Sequence, residues 1–172
     1  MRFIHLTDTH LTATGRTLYG IDPAERLRRA VRDINARFND ADFLIVTGDL
    51  AHRGEPEAYR LLQAILGTLT IPVYLGIGNH DRRAPFIRQF PDTATDAQGF
   101  VQYVFTAAGH DFIMLDSVDE GSPSGILSTE RVAWLRDTLA ARRDRGTFLF
   151  LHHAPVPLGI PDLDDIGLRN AA

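Results

Sequence analysis

Short apolar runs recur along the chain, and four of them end abruptly in polar residues. They cover residues 3–6, 43–46, 71–75 and 148–151. Their length and their content of β-branched and aromatic residues are typical of buried strands. The pattern therefore predicts four strands, each followed by a loop that carries side chains able to bind a ligand.

Amphipathic segments separate the first three strands and predict helices. One begins with Asp22 as N-cap and Pro23 at the first position, and we expect Glu25 to reach back to the N-cap amide. A second begins at Glu55-Pro56. Alternation of strand and helix favours a parallel sheet with right-handed crossovers.

The pattern changes after residue 81. It predicts a short helix over residues 82–90, a β-hairpin from residues 100–105 and 112–115, and a helix capped by Ser128. These elements indicate a mixed sheet or a second sheet. Residues 158–172 predict the start of a further helix with no stop signal, so we expect one domain over residues 1–172 that is incomplete at its C-terminus.

Composition narrows the function classes. The 172 residues are 44% hydrophobic and 23% charged, which fits one globular domain. The net charge of −4 and the lack of a basic cluster argue against a nucleic acid polymer as partner. The chain has no lysine and no cysteine, which excludes lysine nucleophiles, disulfides and thiolate metal sites. With no apolar run of membrane-spanning length and no leader pattern, we expect a cytoplasmic protein without a membrane partner.

The polar residues after the strands are of metal-ligand type. Asp8 and His10 are two residues apart, so an extended backbone would point them to the same side. Asp49, Asn79 and His152 each follow another strand and would converge at one edge if these strands are neighbours. Imidazole, carboxylate and amide ligands suit Fe, Mn, Zn or Co better than calcium. These five ligands could bind two cations if one carboxylate bridged them.

Four motifs, in this order, resemble those of the calcineurin-like metallophosphoesterases: Asp8-Thr9-His10, Gly48-Asp49, Gly78-Asn79-His80-Asp81 and His152-His153. The segment after residue 155 is most similar to the branch of class III cyclic-nucleotide phosphodiesterases and glycerophosphodiesterases. The resemblance implies an α/β fold, a four-layer α/β/β/α sandwich of two mixed sheets, here without its C-terminal strands. It also implies hydrolysis of small phosphodiesters by a hydroxide that two divalent or trivalent metal ions activate.

The resemblance assigns metal ligands residue by residue. Asp8 and His10 would hold the first metal, Asp49 would bridge, and Asn79 and His152 would hold the second.

It also assigns catalytic and substrate-binding residues. His80 would contact the substrate phosphate and protonate the leaving oxygen, and Asp81 would orient His80. Asn79, His80 and His153 would bind substrate.

Two departures from the family pattern leave an alternative open. Residues 152–155 read His-His-Ala-Pro where the branch has His-His-Pro-Pro, and the downstream Gly-His-x-His motif is absent. Gly109-His110 lies before His152 and is no substitute. Five of seven ligand positions are thus present, so we expect the chain alone to be weak or inactive as an enzyme. The alternative is a non-catalytic fragment that serves as an interaction module, which the retained His80 disfavours. A homo-oligomer that completes the site stays open.

The loop after Asp49 carries His52 and Arg53. We expect them on the surface rather than in a substrate channel.

Overall fold

A computed structural model describes residues 1–170, with six strands and five helices in that range. The strands are β1 (Phe3–Leu6), β2 (Phe43–Thr47), β3 (Val73–Gly76), β4 (Tyr103–Ala107), β5 (His110–Met114) and β6 (Thr147–Phe150). The helices are α1 (Pro23–Arg37), α2 (Pro56–Leu66), α3 (Arg83–Gln89), α4 (Thr129–Ala140) and α5 (Pro161–Asp164).

The first sheet has the order β1-β2-β3, and both of its strand pairs are parallel. Its central strand β2 is buried along all five residues, as expected for a strand that is covered on both faces. Helices α1 and α2 connect the strands and contribute buried side chains to the same core. The predicted alternation of strand and helix is confirmed.

The second sheet has the order β4-β5-β6. Strands β4 and β5 form the predicted antiparallel hairpin around Ala108-Gly109, and β6 pairs with β5 in parallel. The two-sheet α/β architecture is therefore confirmed. Within residues 1–170 the second sheet is mixed as expected, whereas the first is entirely parallel.

An aromatic cluster joins the two sheets. The ring of Phe43 on β2 lies 4.8 Å from that of Phe112 on β5, 5.1 Å from Phe105 on β4 and 5.2 Å from Phe3 on β1. Stacked and edge-on aromatic pairs of this kind add to the free energy that the burial of their surface contributes. The cluster fixes the two sheets against each other and so fixes the ends of their strands.

The N-terminus of α1 is capped as predicted, with one difference. The Asp22 carboxylate accepts hydrogen bonds from the backbone N–H of Ala24 at 2.9 Å and of Glu25 at 3.2 Å. The Glu25 carboxylate instead accepts from the guanidinium of Arg32 at 2.8 Å. The expected capping box is therefore wrong for Glu25, because a nearby cation supplies a charged partner.

The last segment differs from the expected helix. Helix α5 spans only Pro161–Asp164, and Leu168 then donates its N–H to the carbonyl of Ala154 at 2.9 Å. The predicted start of a helix is thus limited to these four residues, and residues 171 and 172 of that prediction lie outside the described residues. No helix in the described range is long and apolar enough to cross a membrane.

Candidate metal centre

The loops after β1 and β2 stay paired beyond the strands. The N–H of Asp8 donates to the carbonyl of Gly48 at 3.1 Å, and that of His10 donates to the carbonyl of Asp49 at 2.8 Å. The N–H of His52 donates to the carbonyl of Leu11 at 2.8 Å. Backbone hydrogen bonds therefore hold Asp8, His10 and Asp49 in fixed relative positions.

Asp8, His10 and Asp49 all have a left-handed backbone conformation. Asp8 has a φ of 57°, His10 of 42° and Asp49 of 49°. Such conformations cost non-glycine residues about 1–3 kcal/mol each and concentrate at functional sites. All three are residues for which the sequence predicts metal binding.

Two glycines make room for the central side chains. A Cβ atom on Gly48 would lie 2.7 Å from Nδ1 of His152. A Cβ atom on Gly78 would lie 2.8 Å from Nε2 of His152 and would overlap Oδ1 of Asp49. The backbone thus approaches these side chains so closely that no larger residue fits at either position.

Asp49 lies at the centre of the cluster and is only 4% exposed. Its Oδ2 is 3.4 Å from Nε2 of His10 and 3.9 Å from Nε2 of His80. Its Oδ1 is 3.4 Å from Nε2 of His152. The two oxygens of one carboxylate therefore face different groups of imidazoles.

Asp8 and His10 form one side of the cluster. Oδ1 of Asp8 is 3.6 Å from Nε2 of His10. The neighbouring His10 lowers the pKa of Asp8 to about 2, and Asp8 in turn raises the pKa of His10. Asp8 is thus ionised at neutral pH, as a metal ligand must be.

His152 and Asn79 form the other side. Nδ1 of His152 lies 3.1 Å from the carbonyl of Thr47, to which it can donate, and Nε2 lies 3.2 Å from Oδ1 of Asn79. A hydrogen bond from one ring nitrogen to a carbonyl is the usual way in which a protein orients a metal-binding histidine.

The ring of His80 faces the Asp49 side of the cluster. Its Nδ1 is 2.7 Å from the carbonyl of His52, and its backbone N–H donates to Oδ1 of Asp49 at 3.0 Å. Because the carbonyl can only accept, Nδ1 carries the proton and Nε2 is the nitrogen turned towards Asp49.

Asp81 has contacts that correct its expected role. Its fully buried carboxylate accepts hydrogen bonds from the backbone N–H of Leu50, Ala51 and Gly78 and from the hydroxyl of Tyr59. Burial raises the pKa of Asp81 to about 6, and these four donors oppose that rise. The expectation that Asp81 orients the His80 ring is wrong in its detail. The Asp81 carboxylate instead holds the loop after β2 against the loop after β3. The His80 ring is oriented by the His52 carbonyl.

His153 lies behind the cluster and not in its open part. The ring is 4% exposed, and its Nδ1 is 2.7 Å from Oγ of Ser117. Burial lowers the pKa of His153 to about 4, so the ring is neutral. Contact of His153 with substrate stays a prediction.

The sequence prediction missed two contributors. His52 was expected on a surface loop, but its Nδ1 lies 3.4 Å from Nδ1 of His10 and its ring stacks on that of His80. Tyr59 on α2 is a fully buried core residue, and its hydroxyl donates to the Asp81 carboxylate at 2.9 Å. The position of His52, three residues after Asp49, was the signal that could have identified it.

The donor set fits a metal centre. Two sets of three residues each bring one donor atom per residue to within 4.8 Å of one another, namely His10, His52 and His80, and Asp8, Asp49 and His152. Carboxylate and imidazole donors without thiolate suit Mn, Fe, Zn or Co. The oriented His152, the ionised Asp8 and the space left by Gly78 agree with this chemistry.

The fold and the site together define a class of protein. It is a two-sheet α/β protein with carboxylates and imidazoles gathered at the ends of its strands. The family model of calcineurin-like phosphoesterases matches residues 1–170, and the chain belongs to this family. Family members use a dinuclear metal centre.

Two curated relatives extend this result. The chain is 46% identical over 173 residues to a probable cyclic nucleotide phosphodiesterase of Rhodopseudomonas palustris, a match that covers 99% of the chain and 63% of that protein. It is 33% identical over 175 residues to the glycerophosphodiester phosphodiesterase GpdQ of Enterobacter lignolyticus, with 99% and 63% covered. The chain thus spans under two thirds of the length of these relatives.

A solved structure supports the fold alone. The purple acid phosphatase PPD1 from yellow lupin superposes with a TM-score of 0.64 at 16% identity, over 90% of this chain and 30% of the phosphatase.

Proposed function

We propose that this chain carries the metal-binding part of an enzyme that hydrolyses small phosphodiesters of the cyclic nucleotide or glycerophosphodiester type. The observation that carries the proposal is the position of Asp49, whose two carboxylate oxygens face His10 and His80 on one side and His152 on the other. The names of the two relatives support the substrate class.

Two metal ions, chosen among Fe, Mn, Zn and Co, would share Asp49. Asp8 and His10 would complete the set for one ion, and Asn79 and His152 for the other. When bound, such a pair of cations supplies a nucleophile at neutral pH and neutralises the phosphoryl oxygens.

His80 would transfer the proton in this reaction. Its Nδ1 is engaged with the His52 carbonyl at 2.7 Å, which leaves Nε2 free to act at the cluster. The oxygen of a water molecule forms a bond to phosphorus, and the bond from phosphorus to one ester oxygen breaks. With Nδ1 held by the His52 carbonyl, the doubly protonated His80 ring donates its Nε2 proton to that leaving oxygen, and the proton released by the attacking water restores the ring. The products are a phosphomonoester and an alcohol.

Asn79 and His80 would also bind the phosphate, and His153 would assist on the substrate side. The first two line a cavity of about 440 Å³, a size suited to a small diester. The burial of His153 favours an indirect contribution through the neighbouring His152.

The direct test measures hydrolysis of bis(p-nitrophenyl) phosphate in the presence of Mn²⁺ by the wild-type chain and by Asp49→Ala, with metal binding by calorimetry in parallel. In the wild type we expect turnover and two bound Mn²⁺ ions. In Asp49→Ala we expect no turnover and no pair of bound ions. Metal binding without turnover would favour the interaction module. Equal turnover in both chains would contradict the proposal.

Cytoplasmic location, a homo-oligomer and the lack of a nucleic acid or membrane partner stay predictions from the sequence.

A further inference from the structure

The cavity that contains Asn79 and His80 has a one-sided charge. Its lining adds the side chains of Arg53 and Arg82 and the hydroxyl residue Ser122. Among residues 1–170, no aspartate or glutamate lines it. The charged side chains that line this opening are therefore both cationic, although the chain as a whole has a net charge of −4.

Both guanidinium groups are available to a ligand. In the described part of the chain, neither Arg53 nor Arg82 forms an ion pair with a carboxylate, whereas the adjacent Arg83 binds Asp116 at 2.6 Å. The nearest acidic residue on the loop is Glu55, whose carboxylate accepts from the backbone N–H of Arg53 at 3.1 Å.

The fold supports the position of Arg82. Its backbone N–H donates to the Tyr59 hydroxyl at 3.0 Å, and its Nη1 donates to the Asp81 carbonyl at 3.2 Å. Its side chain lies over Gly54, where a Cβ atom would come within 2.9 Å of the Arg82 Cβ. The loop from the first sheet thus leaves room for this arginine beside the candidate metal centre.

We propose that this cavity binds a second anionic group of the substrate, a carboxylate or a phosphate. This group would lie on one of the two alcohols that are esterified to the scissile phosphate, here called an arm of the diester. This inference rests on the proposed function, in which the scissile phosphate lies at the metal centre. Arg53 and Arg82 line the same cavity as His80, and their guanidinium groups are planar donors that match carboxylate and phosphate oxygens. The inference therefore narrows the substrate class to acyclic diesters of the glycerophosphodiester type that carry an anionic group on one alcohol, because a 3',5'-cyclic nucleotide has only the scissile phosphate.

The test compares two probes, the second of which carries an additional carboxylate on one alkyl group: diethyl phosphate and ethyl 2-carboxyethyl phosphate. Their affinities are measured by calorimetry for the Mn²⁺-loaded wild type, for the double variant Arg53→Gln/Arg82→Gln and for Arg88→Gln. Arg88 is an exposed residue of α3 outside the cavity lining and controls for the loss of charge. We expect the wild type and Arg88→Gln to bind the carboxylate probe roughly tenfold more tightly, the effect of one partly exposed charged contact.

The double variant should bind both probes with equal affinity, while its affinity for diethyl phosphate stays at the wild-type value. An equal loss for both probes would mean that the arginines bind the scissile phosphate, which overturns the inference. No preference in the wild type, or no binding of either probe, also overturns it. A preference that persists in a chain unable to hydrolyse bis(p-nitrophenyl) phosphate supports the anion site and contradicts only the proposed function.

Discussion

The two sheets support their parts of the candidate site in different ways. In the first sheet, Asp49 follows the fully buried β2, and the paired loops after β1 and β2 fix it against Asp8 and His10. In the second sheet, β6 lies at the edge of the sheet, and its Phe148 and Leu149 are 37% and 45% exposed.

His152 is the side chain of the second sheet that faces the cluster, and it depends on the first sheet for its orientation. Its Nδ1 is directed at the carbonyl of Thr47, and Gly48 and Gly78 leave the space for its ring. Asp49, the proposed bridging ligand, therefore follows the more buried sheet, whereas the position of His152 depends on the contact between the two sheets.

Gly78→Ala should have the largest effect, because its methyl group would lie between Asp49 and His152. We expect Mn²⁺ affinity to fall by roughly 100-fold or more, since even partners outside the ligand set change affinity by 10- to 100-fold. Calorimetric titration measures the change. Gly99→Ala is the control: its φ of 86° makes alanine cost about 1 kcal/mol of stability, but it meets open space and should leave metal affinity unchanged. Wild-type affinity in Gly78→Ala would contradict this role of the glycine.

His152→Ala should remove the contribution of the second sheet alone. We expect the number of bound Mn²⁺ ions to fall from two to one, because Asp8, His10 and Asp49 remain in place on the first sheet. Titration with analysis of bound metal measures the stoichiometry. His110→Ala, at the first residue of β5 in the same sheet, is the matched control and should still bind two ions. Loss of both ions in His152→Ala would show that the halves do not bind separately.

Asp81→Asn tests how far the first sheet depends on one buried carboxylate. The new NH₂ group would face backbone N–H groups that now donate to the carboxylate, so hydrogen bonds would be lost in a buried site. We therefore expect the free energy of unfolding, measured in urea, to fall by about 3 kcal/mol. Asp111→Asn in the second sheet should cost less, because its partners Arg142 and Arg145 are partly exposed to solvent. A larger loss for Asp111→Asn would reverse the ranking of the two sheets.

Ser117→Ala should have the smallest effect. It removes the hydroxyl bound to Nδ1 of His153, which should lower stability by about 1 kcal/mol and leave Mn²⁺ binding unchanged. Denaturation and metal titration on the same preparation check both parts. A clear fall in metal affinity would show that His153 is more closely coupled to His152 than its burial suggests.

The sequence was informative where chemistry follows directly from a strand end. The apolar runs predicted β1, β2, β3 and β6, and the ligand-type residues after each of them are brought together in space. The prediction failed where a role depends on distant contacts. Asp81 bonds to Leu50 and Ala51 about thirty residues away, and the His52 carbonyl that binds His80 belongs to another loop. Neither contact leaves a trace in the local sequence pattern.

The measurement that tests the central role of Asp49 most directly is electron paramagnetic resonance of the chain loaded with two equivalents of Mn²⁺. A carboxylate shared by two ions places them close together, and two-metal sites hold their ions about 3.5–4 Å apart. We predict the spectrum of a spin-coupled Mn²⁺ pair in the wild type and its loss in Asp49→Ala. A wild-type spectrum of isolated Mn²⁺ ions alone would contradict the bridging position of Asp49.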